Sequence, residues 1–265
     1  AIPLKTDKDK TVEQFLLVFY VLFFATGFMG GSALFLLDLR IRSRLLRPLL
    51  VFQLLLLLGM GLIVVFYYGE TMPGGLDPVI VITILSILNA INAAVYSIVL
   101  LLIRRVFPAP SRRTGYSLVG ESLAGIVVIK SLANSIVFAG SYSGNTIAVV
   151  VGGSPVWTWA GHAFSAAAMI TFGLLLRRLP PKGESDVIRR LLRAYGLCAI
   201  IFAPIGLIEY GLQKLGIPVL QSISLDHFFY FTWNMISMSA AVRLFKPSKA
   251  GNPFLEAVPE ECVTA

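Results

Sequence analysis

The sequence predicts an all-α polytopic membrane protein with seven transmembrane helices, on three observations. Of its 265 residues, 57% are hydrophobic and 14% are charged, with a mean hydropathy of +0.82, whereas an average soluble domain has roughly 25% charged residues. The apolar residues fall into seven blocks, each long enough for the about 20 residues that cross a ~30 Å hydrocarbon layer. The blocks lack the two-residue alternation of strands, and open sheets cannot span lipid. We therefore predict that all seven blocks are helices.

The first three predicted spans cover residues 13–37, 48–68 and 78–103. Span 1 contains the small-residue run "GFMGGSALF", in which Gly27 and Gly31 have the four-residue spacing that favours close helix packing. Spans 2 and 3 are separated by "GETMPGGLDP", whose Gly and Pro residues interrupt helices.

The last four predicted spans cover residues 117–139, 156–176, 190–211 and 222–245. Span 4 is apolar but carries Lys130 well inside it. The segment "GSYSGNTIAVVVGGSP" leads to span 5, and "RRLPPKGESD" separates span 5 from span 6. Aromatic residues near the outer ends of the spans are expected at the membrane surface: Tyr142, Trp157, Trp159 and Tyr210.

The basic residues predict the orientation of the chain. Only Lys5, Lys8, Lys10 and Lys214 lie on one side, while seventeen of the 22 Lys and Arg residues follow spans 1, 3, 5 and 7 on the other. These seventeen are Arg40, Arg42, Arg44, Arg47, Arg104, Arg105, Arg112, Arg113, Arg177, Arg178, Lys182, Arg189, Arg190, Arg193, Arg243, Lys246 and Lys249. We expect the N-terminus outside and the C-terminus in the cytoplasm of a multi-pass protein of the plasma (inner) membrane.

This orientation divides the chain into three parts: an extracytoplasmic segment 1–12, a transmembrane domain 13–245 and a cytoplasmic tail or linker 246–265. The net charge of +8 lies in short loops beside the bilayer, so it indicates topology and contact with anionic lipid headgroups rather than nucleic-acid binding. Cys198 and Cys262 are far apart in the predicted topology, and no metal-ligand spacing or catalytic motif is present. We expect no enzyme activity, no metal and no cofactor.

Polar side chains in five spans converge on the outer half of the membrane, and they are the candidate ligand-binding residues. A lysine at the centre of a span costs about 2.5 to 3.5 kcal/mol, so Lys130 requires a wet cavity or a partner such as Glu209 or Asp226. A structural ion pair and a ligand site both satisfy this requirement. The full set is Asn89 and Asn92 in span 3, Lys130 and Asn134 in span 4, His162 in span 5, Glu209 in span 6, and Asp226, His227, Tyr230 and Asn234 in span 7.

The tail "AGNPFLEAVPEECVTA" is short, acidic and interrupted by proline. Together with the seven spans, it resembles bacterial regulators in which a seven-helix membrane region is followed by a LuxR-type helix-turn-helix domain. The resemblance implies a sensor that passes a signal from an outer pocket to a cytoplasmic DNA-binding domain, which would lie beyond Ala265. The sensor region of a histidine kinase, with a kinase output domain, fits the same residues.

We therefore predict a membrane-embedded receptor module that binds a small molecule or lipid in the outer half of the bundle and signals to a cytoplasmic output domain. The alternative is a small transporter or channel that uses the same polar groups. A receptor needs a closed floor beneath its pocket, whereas a conduit needs polar side chains down to the cytoplasm. The sequence leaves the conduit open, because polar residues continue below the candidate site: Tyr96, Ser97, Glu121, Ser122, Ser237 and Ser239.

Overall fold

The computed structural model describes residues 7–70, 75–106, 115–178, 185–215 and 226–245. These residues are helical with short connections, and they contain no strand, which confirms the all-α fold class. The helices of this described part are α1 (Asp7–Ile41), α2 (Leu46–Glu70), α3 (Pro78–Val106), α4 (Gly115–Tyr142), α5 (Thr146–Gly152), α6 (Pro155–Arg178), α7 (Asp186–Phe202), α8 (Ile205–Lys214) and α9 (Asp226–Phe245).

Six candidate membrane spans occur in the described residues, judged by length and apolar composition. They are Val18–Ile41, Leu46–Phe66, Pro78–Arg105, Gly115–Tyr142, Pro155–Arg177 and Asp186–Leu212, and they coincide with predicted spans 1 to 6. Predicted span 7 coincides with α9, which is 20 residues long and is not among these six. The seven-span count and the orientation of the termini therefore stay predictions.

Predicted span 6 is not one continuous helix, because it breaks between α7 and α8 at Ala203 and Pro204. Proline has no backbone N–H and cannot donate the hydrogen bond that would continue the helix. The Ala203 N–H still donates to Ala199 O, and the Ile208 N–H donates to Pro204 O, so helical bonding stops and restarts around the proline. Such an interruption within a membrane is tolerated where the backbone lies against protein or a cavity.

The long helices form a closed ring in the order α1, α2, α3, α4, α6, α7 and α9, and α9 packs back against α1. The short helix α5 lies against α4 and α6, and α8 lies against α6. The ring makes the middle of the bundle accessible to side chains from several helices at once.

The basic segments meet at one end of this ring. Arg105 donates from its guanidinium to the backbone carbonyl of Arg44 over 2.5 Å, which joins the end of α3 to the α1–α2 connection. Arg104 forms an ion pair of 3.2 Å with Glu121 on α4. We call this end the basic end, and we call the opposite end, where α3 and α6 begin and α4 ends, the neutral end.

Helices approach most closely where glycine replaces a side chain. A Cβ atom on Gly173 of α6 would lie 2.5 Å from the carbonyl oxygen of Gly196 on α7, and a Cβ atom on Gly196 would lie 2.5 Å from the carbonyl oxygen of Gly173. On α1, Gly27 and Gly30 make close approaches, whereas a Cβ on Gly31 would meet only one atom, at 3.9 Å. The small-residue run of span 1 thus packs closely, but through Gly30 rather than Gly31.

Candidate functional site

A cavity of about 500 Å³ lies inside the ring of helices, nearer the neutral end than the basic end. Its walls come from α2, α3, α4, α6, α7 and α9, with single residues from α5 and α8. Its size falls within the usual range of small-molecule sites, about 300 to 1,000 Å³. Five of the candidate residues line it, namely Asn92, Lys130, Asn134, His162 and Tyr230.

The ammonium group of Lys130 reaches the cavity wall between α4 and α6. Its Nζ lies 3.4 Å from Asn134 Oδ1 and 4.7 Å from the centre of the Trp157 ring, in a cation–π arrangement. In the part of the chain that the structure describes, no carboxylate oxygen lies within 4 Å of this Nζ. The expected pairing with Glu209 is therefore not formed, and the side chain of Asp226 lies outside the described residues.

Gly161 leaves the space that the lysine side chain fills. A Cβ atom at this position would lie 2.5 Å from Lys130 Nζ and 2.7 Å from its Cε. Gly161 stands one helical turn after Trp157, so the indole ring and the gap belong to the same face of α6. This face fixes where the positive charge sits.

Asn134 joins three helices around that charge. Its Oδ1 accepts a hydrogen bond of 2.7 Å from Trp157 Nε1 on α6, and its Nδ2 donates over 3.3 Å to Asn89 Oδ1 on α3. Asn89 in turn donates to the backbone carbonyl of Leu85 over 2.9 Å. Asn89 does not line the cavity, so its place is behind Asn134 as a supporting residue.

Two further hydrogen bonds place polar groups on the cavity wall. Asn92 Nδ2 donates over 2.7 Å to the hydroxyl of Ser131, which is buried on α4. The Tyr96 hydroxyl donates over 3.3 Å to the backbone carbonyl of Ser165 on α6. All four residues line the cavity and connect α3 to its neighbours.

His162 lies on the α6 wall near the break between α7 and α8. Its ring stacks on Tyr210 with centres 5.4 Å apart, and a Cβ atom on Gly206 would lie 3.0 Å from its Nδ1. His162 also interacts electrostatically with Lys130 and Glu209. Glu209 does not line the cavity.

The candidate residues of α9 separate into three groups. Tyr230 lines the cavity, whereas Asn234 is buried elsewhere and accepts a short hydrogen bond from Gln53 Nε2 on α2. Asn234 therefore links α9 to α2 and does not contribute to the main cavity. The side chains of Asp226 and His227 lie outside the described residues.

An aromatic cluster closes the cavity toward the basic end. Tyr195 and Trp233 stack with ring centres 3.8 Å apart, and both are buried. Phe52 and Phe229 also contact the Trp233 ring, with ring centres at 5.0 Å and 5.6 Å. We call these four residues the aromatic floor.

Below this floor the buried side chains are mostly apolar, although Ser43 and Ser117 are also buried there. The fully buried side chains there include Leu34, Leu37, Leu46, Leu102, Ile103 and Leu191. The polar residues that left a conduit open do not line the cavity or are bonded to neighbours. Ser97, Ser122 and Ser239 are exposed and lie outside the cavity lining, Glu121 pairs with Arg104, and Ser237 is bonded to Tyr195. The described residues thus offer no continuous polar lining from the cavity to the basic end.

Sequence reasoning missed Trp157 as a site residue, because a tryptophan near the end of a span is more often a membrane-surface anchor. It also missed Gly161, whose role is to leave space. The spacing of Trp157, Gly161 and Ser165, four residues apart on one face of α6, is a signal that could have identified the wall opposite Lys130.

Comparison of the chain with protein-family models, curated proteins and solved structures found no match.

Proposed function

We propose that the chain is a membrane-embedded sensory module that binds a small molecule or lipid in its central cavity and signals toward a cytoplasmic output domain. The observation that carries the proposal is a cavity with a polar wall around Lys130 and a closed aromatic floor. A cavity closed on the basic side can hold a ligand but gives it no path across the bundle. The predicted orientation puts the cavity toward the outside and the basic end toward the cytoplasm.

Helix α9 offers a physical route for the signal. Phe229 and Tyr230 line the cavity, Trp233 lies one turn further along, and Ser237 follows after another turn. The Trp233 ring stacks on Tyr195 of α7, and the Ser237 hydroxyl is hydrogen-bonded to the Tyr195 hydroxyl. A ligand that moves Phe229 would shift α9 against α7, and α9 continues to Arg243 near the basic end.

The output domain would be a DNA-binding domain of the LuxR type or a kinase domain following residue 265. The resemblance of the tail sequence, together with the seven predicted spans, supports this part of the proposal.

A cavity-filling substitution tests the binding proposal. Ala203 lines the cavity at the break in predicted span 6, while Ala163 is exposed on α6, so Ala203→Leu and Ala163→Leu add the same atoms inside and outside. Native mass spectrometry of the purified protein should find a retained small molecule or lipid in the wild type and in Ala163→Leu, and much less of it in Ala203→Leu. Equal retention in all three proteins would contradict a ligand site in this cavity.

A flux measurement separates the sensor from the transporter or channel. In reconstituted liposomes, the closed floor predicts no ion or solute flux above that of protein-free vesicles. Flux that Ala203→Leu abolishes would favour the conduit instead.

A further inference from the structure

We propose that the ligand of this cavity is an amphipathic anion, with a carboxylate or phosphate head against Lys130 and an acyl or ring body among the side chains of α2 and α3. The inference rests on the proposed function, because it requires the cavity to be a ligand site. It goes further in assigning the chemical class of the ligand and the residue that recognises it.

The charge on Lys130 is not neutralised by the neighbours that the structure describes. An ammonium group has three N–H donors, and this one has a single hydrogen bond of 3.4 Å to an amide oxygen. That oxygen already accepts the shorter bond from Trp157 Nε1. The ring face of Trp157 attracts the cation but does not accept its remaining hydrogen bonds in the manner of a carboxylate.

No described residue that lines the cavity is an aspartate or glutamate. The ionisable groups on its wall are Lys130, His162, Tyr96 and Tyr230, so the wall carries a net positive charge. Glu209 interacts electrostatically with His162 and is not within ion-pairing distance of Lys130. Charges inside a membrane protein are paired or face water and substrate, and an anionic head would supply the missing partner through charge-assisted hydrogen bonds.

The α2 wall is apolar and indicates the rest of the ligand: α2 contributes Leu55, Leu56, Met60 and Ile63. Helix α3 adds Leu88, Ile91 and Val95 beside the polar Asn92 and Tyr96. On α4 the lining runs from Val127 to Phe138, a distance of roughly 16 Å at 1.5 Å per residue. A cavity of this length, with a cationic group on one side and the apolar α2 wall on another, fits a single-chain amphiphile better than a compact polar solute.

Four single-chain probes of nearly equal alkyl length and with different heads test the assignment: decanoate, decyl phosphate, decanol and decyltrimethylammonium. Binding to the full chain in phosphatidylcholine nanodiscs would be followed by thermal unfolding over a range of probe concentrations below micelle formation. We expect the two anions to raise Tm and to bind about 10- to 100-fold more tightly than decanol, which corresponds to one charge-assisted hydrogen-bonded contact. Whichever of decanoate and decyl phosphate binds with the higher affinity indicates whether the site prefers a carboxylate or a phosphate head.

Three variants locate the binding. Lys130→Met keeps an unbranched side chain, leaves no described carboxylate unpaired, and should reduce the preference for decanoate over decanol to about one. Lys130→Arg should keep that preference. Ala203→Leu should weaken the binding of all four probes, so an effect that survives it comes from the protein surface or the lipid and counts against the assignment.

Several outcomes would overturn the inference: equal binding of decanoate and decanol to the wild type, anion binding that Lys130→Met leaves unchanged, or no binding of either anion. A retained ligand that is neutral and is lost in Ala203→Leu would overturn the anionic assignment while leaving the proposed function intact. If the wild-type protein retains no ligand and binds none of the probes, the proposed function is overturned as well.

Discussion

At the scale of single residues, Gly161 tests how the lysine charge is positioned. An alanine there brings a Cβ within 2.5 Å of Lys130 Nζ, and the flexible end of the lysine can move away at little cost to the fold. The ammonium must then leave the Trp157 face, so Gly161→Ala should weaken decanoate binding by about 1 kcal/mol, or about fivefold. The free energy of unfolding should stay equal or rise, because alanine is favoured over glycine in helices by roughly 0.5 to 1 kcal/mol.

Gly125→Ala is the matched control for this prediction. Gly125 lies on α4, and a Cβ atom there would meet nothing within 4 Å. It should give the same small gain in stability with no change in decanoate affinity. Equal affinities in the two variants would mean that Gly161 does not position Lys130.

A second prediction at this scale concerns the buried pair Gln53 and Asn234. Both are about 3% exposed, so Asn234→Ala leaves the Gln53 amide with only the Gly27 carbonyl, at 3.5 Å, as a hydrogen-bond acceptor. We expect a loss of about 1 to 3 kcal/mol in the free energy of unfolding. A double-mutant cycle with Gln53→Ala should give a coupling of about 0.6 kcal/mol or more, the average for hydrogen bonds between membrane helices.

Ser239→Ala, on the exposed face of the same helix, should change stability by no more than about 0.5 kcal/mol. Additive effects of Gln53→Ala and Asn234→Ala would show that the two side chains do not stabilise each other.

The residues around Lys130 show what helical spacing can and cannot predict. Lys130 and Asn134 are four residues apart, and the structure places both on the cavity wall. Tyr230 and Asn234 are also four residues apart, yet only Tyr230 lines the cavity, because Asn234 is hydrogen-bonded to Gln53 of α2. Spacing along one helix predicts a shared face, but it does not say which neighbouring helix carries a polar partner.

At the scale of helices, the crossing of α6 and α7 depends on two glycines. A Cβ on Gly173 would lie 2.5 Å from a backbone oxygen of α7, and backbone cannot move aside as a side chain can. Gly173→Ala should therefore push the helices apart and cost about 1 to 3 kcal/mol in the free energy of unfolding, despite the higher helix propensity of alanine. Gly196→Ala should cost a similar amount, and the double variant less than the combined loss, because one displacement accommodates both methyl groups.

The measurement is unfolding of the purified variants in one detergent, with Gly125→Ala again as the control without a steric neighbour. If Gly173→Ala proves as stable as Gly125→Ala, the two helices are not held at contact distance by these glycines.

The spans themselves could be predicted because a bilayer demands length and apolar composition, and both are local properties of sequence. Six predicted spans coincide with helices long and apolar enough to cross. The interruption at Pro204 was not predicted, since a proline in a membrane helix can also be absorbed as a kink. Helix α5 lies within "GSYSGNTIAVVVGGSP", where Asn145 caps it by accepting from the Ala148 N–H, a signal too short to stand out among the surrounding glycines.

At the scale of the whole molecule, the polar and apolar halves of the interior are separated along the bundle. The cavity and the hydrogen-bonded side chains of its wall occupy the half toward the neutral end, whereas most of the fully buried apolar side chains lie toward the basic end. The sequence could not show this separation, because serines and tyrosines occur in both halves and only packing decides whether they face lipid, a partner or a cavity. The aromatic floor, formed by three separate helices, has no signature in any one of them.

Orientation decides which face of the membrane the cavity serves, and thiol labelling in intact cells tests it. The seventeen basic residues on one side predict that Cys262 lies in the cytoplasm. Cys198 is buried within α7 and should not react with the reagent. A membrane-impermeant maleimide should therefore leave the wild type unlabelled until the cells are permeabilised.

Ser143→Cys tests the other side of the membrane, because Ser143 is exposed in the turn between α4 and α5 at the neutral end. In a Cys262→Ser background this variant should react with the reagent in intact cells. Ser143 and the basic end lie at opposite ends of α4. If the chain has the opposite orientation in the membrane, both labelling results must therefore be reversed together. Labelling of Cys262 in intact cells, with Ser143→Cys protected, would show the opposite orientation in the membrane. The Lys130 cavity would then lie toward the cytoplasmic side, and its ligand would have to be a cytoplasmic molecule or a lipid of the inner leaflet.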